Sequence, residues 1–296
     1  MKTSTNRWNW PLWVGMFSLI AAPVFAQQAA SGKPATHRRL APGVLQQVDP
    51  ARELQESFSR HDVVELLAVD NAFDFAKDVP FRHDVWALEF QFKPVRMIWV
   101  DVPQASGQMQ RKLVWYMVYS VTNTGKVMHP VKGQDNTYKV AYVDRPVRFI
   151  PSFLLEGRGS LADESDFNKV YPDRILPVAI GPITMREDRS QRFHSTVEIS
   201  GDLAVGETKW GVVTWENVDP RIDRFSIYVQ GLTNAYQWQD QPGSYSKGDP
   251  VGTGRRLLQK TLKLNFWRPG DEYYEHEREI RYGVPGKDLD YEWVYR

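Results

Sequence analysis

The sequence predicts a mainly β fold, a β-sandwich that follows a short helical segment. Three observations predict it. From Val85 onward, apolar side chains recur at every second residue in run after run, which is the period of a strand with one buried face. Between the runs lie Gly-, Pro- and Asp-rich stretches at residues 156–174, 200–207, 217–223 and 240–254, which carry turn chemistry. Helix-type spacing is confined to the chain before residue 70. Short strands with turn signals and little helix describe layered sheets.

Residues 1–26 read as a cleaved secretory signal. Lys2 and Arg7 give a positive start, and no acidic residue precedes Asp49. An apolar run over residues 11–20 follows and ends in Ala21-Ala22-Pro23-Val24-Phe25-Ala26, where Val24 and Ala26 suit a signal-peptidase pocket. These are the three parts of an export signal. The run is shorter than the ~20 residues a spanning helix needs, and Pro11 and Pro23 flank it. The expectation is therefore an exported protein, periplasmic, envelope-associated or extracellular, with no transmembrane anchor after cleavage.

The chain has no cysteine. Disulfides, thiolate nucleophiles, thiolate zinc sites and iron–sulfur clusters are thereby excluded. Of 37 basic residues two lie in the signal, leaving 35 against 36 acidic ones and a formal charge of −1. Such a balance gives no overall field to attract nucleic acid. The 270 residues from Gln27 to Arg296 are enough to bury a sizeable core without disulfides.

Residues 27–48, rich in Ala, Gln, Ser, Gly and Pro, read as a flexible leader. A helical segment is predicted over 49–80. Asp49 can cap its N-terminus and Pro50 suits the first helical position. Leu54, Phe58, Val63, Val64, Leu66 and Leu67 then form a stripe that would pack on the body.

The sandwich domain is predicted over 81–296. Trp86, Leu88, Phe90 and Phe92 alternate with polar or small residues, as in a half-buried strand. Residues 95–102 and 111–122 are predicted to form a hairpin with a longer loop. The second strand is apolar on both faces, which suits a central strand covered on both sides. Further strands are predicted at 138–143, 147–153, 193–199, 209–215, 224–230 and 258–267. Pro151 marks an edge or a bulge. Thr122-Asn123 and Thr233-Asn234 each close a strand and loosely echo one another. One elaborated sandwich and two sandwich halves both accommodate this echo.

The stretch Trp115-Tyr116-Met117-Val118-Tyr119-Ser120-Val121-Thr122-Asn123-Thr124-Gly125 resembles the central strand of bacterial immunoglobulin-like modules, in which an aromatic–apolar strand runs into an Asn-Thr-Gly turn. The resemblance implies an immunoglobulin-like architecture and transfers no functional residue.

Motifs for common catalytic schemes are missing. The six histidines show no short metal-ligand spacing, and His276-Glu277 lacks the second histidine of the helical zinc-protease motif. No Gly-x-Ser-x-Gly elbow occurs. Gly248 to Gly254 lacks the Lys-Ser/Thr ending of a phosphate loop. No metal site and no cofactor are expected. The densest carboxylate group holds Glu275, Glu277 and Glu279, which would share one face of a strand. They are the acid–base candidates if the protein is a hydrolase; solvated surface is the simpler account.

Aromatic residues stand out. Eight tryptophans follow residue 26: Trp86, Trp99, Trp115, Trp210, Trp215, Trp238, Trp267 and Trp293. Trp86 and Trp115 fit core positions. The others are candidates for an exposed platform, because a flat ring can stack on a sugar face and keep a polar N–H. Tyr236 and Trp238 adjoin a loop, and Tyr291, Trp293 and Tyr295 fill one face of a C-terminal strand. These five are the ligand-binding candidates, unless the C-terminal row docks on the body. The functional expectation is an exported non-catalytic module binding a polysaccharide or an envelope protein. A carboxylate hydrolase and a structural envelope protein are the alternatives.

Overall fold

The computed structural model describes residues 45–48, 84–134, 138–158, 168–220, 222–244, 246–250, 253–268, 280–287 and 289–296. The predicted signal, the helical segment at 49–80 and the Glu275, Glu277 and Glu279 group lie outside them. The described part is mainly β.

One sheet holds β1 (Gln46–Val48), β2 (Glu89–Phe92), β3 (Arg96–Pro103), β4 (Met109–Thr122) and β11 (Thr208–Glu216). β4 is its centre. It pairs with β11 along one edge, and with β3 and then β2 along the other. A second sheet runs β13 (Tyr236–Asp240), β14 (Arg255–Trp267), β12 (Arg224–Gln230), β8 (Ser152–Arg158) and β9 (Asn168–Pro172). β15 (Arg281–Tyr282) and β16 (Tyr291–Tyr295) also pair with β14. Two small sheets join β5 (Val127–Lys132) to β6 (Tyr138–Val143), and β7 (Val147–Phe149) to β10 (Gly201–Leu203).

The inward residues of the two large sheets share one core. Phe92 meets Phe266 and Tyr282, Trp115 meets Phe225, and Tyr119 meets Phe153. Their ring centroids are 4.7 to 6.3 Å apart, within the range of favourable aromatic pairs. Gly211, opposite Tyr119 in register, leaves room for that ring. A Cβ there would come within 2.4 Å of it.

The other face of β4 is also covered, as its double apolar pattern predicts. Val114, Tyr116 and Val118 join Val100, Val102 and Val212 beneath a helix, α1 (Pro177–Glu187). α1 was not legible in the sequence. It begins well with Pro177, but Gly181 and Pro182 inside it oppose helix by ~1 and ~3 kcal/mol. Ala179 and Ile183, one helical turn apart, are fully buried against the sheet and outweigh that local preference.

Other strand expectations need correction. Residues 193–199 are not a strand. Ser195 caps a single turn, α2 (Thr196–Ile199): its Oγ accepts from Glu198 N–H at 3.3 Å, and Glu198 Oε2 accepts from Ser195 N–H at 3.0 Å. This reciprocal box offers the backbone a local alternative to strand pairing. β9 lies inside the stretch 156–174 expected to be loop, because its partner β8 supplies the hydrogen bonds. Residues 147–153 divide into β7 and β8 around Pro151, which has no N–H for a ladder.

The two Thr-Asn strand ends are ties rather than simple turns. Asn123, 1% exposed, donates from Nδ2 to Arg145 O and Leu203 O and accepts from Gly125 N–H. Asn234 accepts from Trp86 N–H and donates to Asp84 O, while Thr233 donates to Trp86 O. Each asparagine holds backbone distant in sequence.

Candidate functional site

The aromatic candidates do not come together. β16 lies beside β14 with Tyr291 opposite Leu264, Trp293 opposite Leu262 and Tyr295 opposite Lys260. Leu262 and Leu264 are core residues, so strand alternation turns the row inward. Tyr291 and Trp293 are half-buried and pack on the core. Tyr295 receives a hydrogen bond from Lys260 Nζ at 3.3 Å, and the same ammonium lies 5.0 Å from its ring centre. The C-terminal row therefore docks on the body. Tyr236 pairs with Gln259, next to Lys260, and so belongs to the opposite face of β14. Trp238 is paired with Leu257, and its side chain lies outside the described part.

Of the remaining tryptophans, Trp215 and Trp267 are buried. Trp210 packs edge-on against Phe193, with centroids 6.2 Å apart. Trp99 differs: it is 57% exposed.

Register explains why. β11 ends with Glu216 opposite Val114, so among the described strands residues 109–113 of β4 pair only with β3. The β3–β4 hairpin thus runs past the sheet. Its rows are Trp99–Leu113, Asp101–Arg111 and Pro103–Met109 on one face. The alternate rows, Ile98–Val114, Val100–Lys112 and Val102–Gln110, belong to the face covered by α1. The first face starts inside the core at Met97 and Trp115. Leu113 still packs on that core, and then Trp99 and Met109 are exposed, Met109 at 60%.

The arm is held firmly. Its loop closes through Gln104 N–H to Gln108 O at 2.8 Å and Gly107 N–H to Gln104 O at 2.9 Å. Gly107 has a φ of +80°, a conformation glycine adopts without a Cβ clash. On the covered face, the end of α1 is clamped by an ion cluster. Glu187, whose side chain is 1% exposed, accepts from Arg96 at 2.7 Å, Lys93 at 3.1 Å and the Tyr116 hydroxyl at 2.7 Å. Arg186 beside it donates to Met97 O at 2.5 Å. Burial works against the Glu187 carboxylate. The Tyr116 hydrogen bond, the Arg96 charge and Lys93 outweigh it and hold its pKa below the usual value. Burial, followed by Glu187 itself, pushes the Tyr116 hydroxyl well above the ordinary phenol value.

On the open face the Arg111 guanidinium lies 5.5 Å from the Trp99 ring centre, a cation–π contact. Beyond the hairpin ladder, the side chains of Asp101 and Arg111 make no hydrogen bond or ion pair among the described residues. Neighbouring Lys112 is committed to Glu216 at 3.2 Å. The open face therefore presents an indole, a thioether, a carboxylate and a guanidinium to solvent. No family model, curated protein or solved structure matches the chain, so the chemistry of these side chains is the guide to function.

Asp84 sits between His129 at 2.5 Å and Arg145 at 2.5 Å; together with Asn234 on its carbonyl, this ties the entry to β2 onto β5. A surface depression of about 520 Å³ is lined by Asp173, Arg174, Ile175, Thr196 and Val197. Its Arg174 is already 3.6 Å from Glu216. Among the described residues, no three of His, Asp and Glu are grouped to hold a metal ion.

Trp99 was within reach of the sequence, since it belonged to the pool of platform candidates. Alternation placed it on the same side as Met97, an inward position. What separated it from the core was how far the elements opposite this face reach, and no local pattern carries that information.

Proposed function

We propose that this chain is an exported, non-catalytic module, with immunoglobulin-like sandwich architecture, that binds a cell-envelope component, polysaccharide or protein, on the open face of the β3–β4 hairpin. The exposure of Trp99 beneath Arg111 carries the reading. Isolated exposed apolar residues are ordinary. A tryptophan, a methionine and an arginine gathered on one rigid face have the composition of a recognition surface. Export is supported by the Lys2 and Arg7 start, the apolar run and the small-residue exit at Ala26.

The test is retention of the secreted protein on a cell-envelope fraction. Trp99→Ala is expected to abolish retention while shifting stability by less than ~0.5 kcal/mol, as for an exposed site. Retention of this variant at the level of the parent protein overturns the assignment of the face. The secreted chain is expected to begin at Gln27; an intact leader on secreted material overturns cleavage at Ala26.

A further inference from the structure

We propose that the open strip takes a neutral, linear polysaccharide, lying along the rows Trp99–Leu113, Asp101–Arg111 and Pro103–Met109. The inference rests on the binding role proposed for this face and names its ligand class.

Width is the first argument. The strip is six residues, three on each strand, and its reverse face is under α1. A specific interface with a folded partner uses about 20–30 residues a side. Four residue steps from Leu113 to Met109 make it about 14 Å long at ~3.4 Å per residue. Such a surface suits a ligand one chain wide.

Charge is the second. The carboxylate of Asp101 only accepts hydrogen bonds and the guanidinium of Arg111 only donates them. They stand opposite one another in register, so the strip carries both signs side by side and no net charge. An anionic polymer would meet Asp101, and a cationic one Arg111. A sugar hydroxyl both donates and accepts, so adjacent hydroxyls can satisfy both groups at once. The Trp99 indole beside them offers an apolar face for sugar C–H groups and an N–H for a further hydrogen bond. Met109 and Pro103 extend the apolar floor beyond the charged row. Because the hairpin ladder and its loop already fix these side chains' backbone, little ordering is left to oppose binding.

The experiment is affinity electrophoresis of the secreted protein through gels containing hydroxyethylcellulose, dextran or laminarin as neutral polymers, and polygalacturonate as the acidic one. In parallel, its retention is measured on envelope protein stripped of polysaccharide. At least one neutral polymer is expected to retard the parent chain. Trp99→Ala is expected to weaken that binding by roughly tenfold or more, about 1.4 kcal/mol, with Asp101→Asn and Arg111→Gln each weakening it several-fold. Melting temperatures should be unchanged. Retardation by polygalacturonate alone, lost in Trp99→Ala, overturns the neutral ligand and leaves the binding face standing. Trp99-dependent retention on stripped protein, with no retardation by any neutral polymer, overturns the glycan and again leaves the face. Binding of any kind that is indifferent to Trp99→Ala overturns both.

Discussion

The C-terminal row Tyr291, Trp293 and Tyr295 and the hairpin row Trp99, Asp101 and Pro103 both lie on the inward side of a sheet, yet they meet different surroundings. Behind the first stand Leu262 and Leu264 in a filled core. The second continues from buried Met97 past the end of the core into solvent. Alternation assigns a face to a residue. Whether the face is covered depends on how far the opposing elements reach. Composition can mislead here: the row made wholly of aromatics is docked, while the row holding one tryptophan beside Asp101 and Pro103 is open.

Substitutions can sharpen that contrast. The largest effect is expected where the hairpin face enters the core: Trp115→Ala should cost about 3–5 kcal/mol in chemical denaturation, because Trp115 is 1% exposed and packs on Phe225. A loss below ~1 kcal/mol would mean that the two sheets do not share this core.

Next comes the clamp behind the hairpin. Glu187→Gln should cost about 2–3 kcal/mol at neutral pH, since it removes a buried charge held by charged donors. The folded-state pKa of Glu187 is depressed, so its contribution is present above the unfolded value and lost as pH falls through the folded one. The stability gap between parent and variant should therefore hold above pH 4.5, the ordinary value, and close below it. A gap that widens on acidification would contradict the clamp.

The smallest of the three is Trp293→Ala. Its loss of burial should cost about 2 kcal/mol, because the side chain is only half-buried. Its retention on envelope material should match that of the parent when measured below its melting point. Trp293→Ala thus gives destabilisation without loss of binding, and Trp99→Ala the reverse. Should the two variants exchange these behaviours, the comparison fails.

Several elements were legible at once. The inward side of β12 follows from strict alternation of Phe225, Ile227 and Val229, all buried. β4 announced two covered faces through apolar residues at consecutive positions, and both are covered. α1 was not legible, because Gly181 and Pro182 argue locally against helix and only packing reverses them. The strand expected at 193–199 failed because a Ser195–Glu198 box competes with strand pairing at short range. The acid–base candidates Glu275, Glu277 and Glu279 fall outside the described residues, so the hydrolase alternative gains no structural argument.

By itself the sequence determined the β-rich class, the inward side of most strands and the absence of thiol chemistry. These follow from short-range period and from composition. Tertiary structure alone decided which inward rows are filled, where α1 sits and why Trp99 stays exposed. Burial is a property of what lies opposite, and that partner comes from residues far away in the chain.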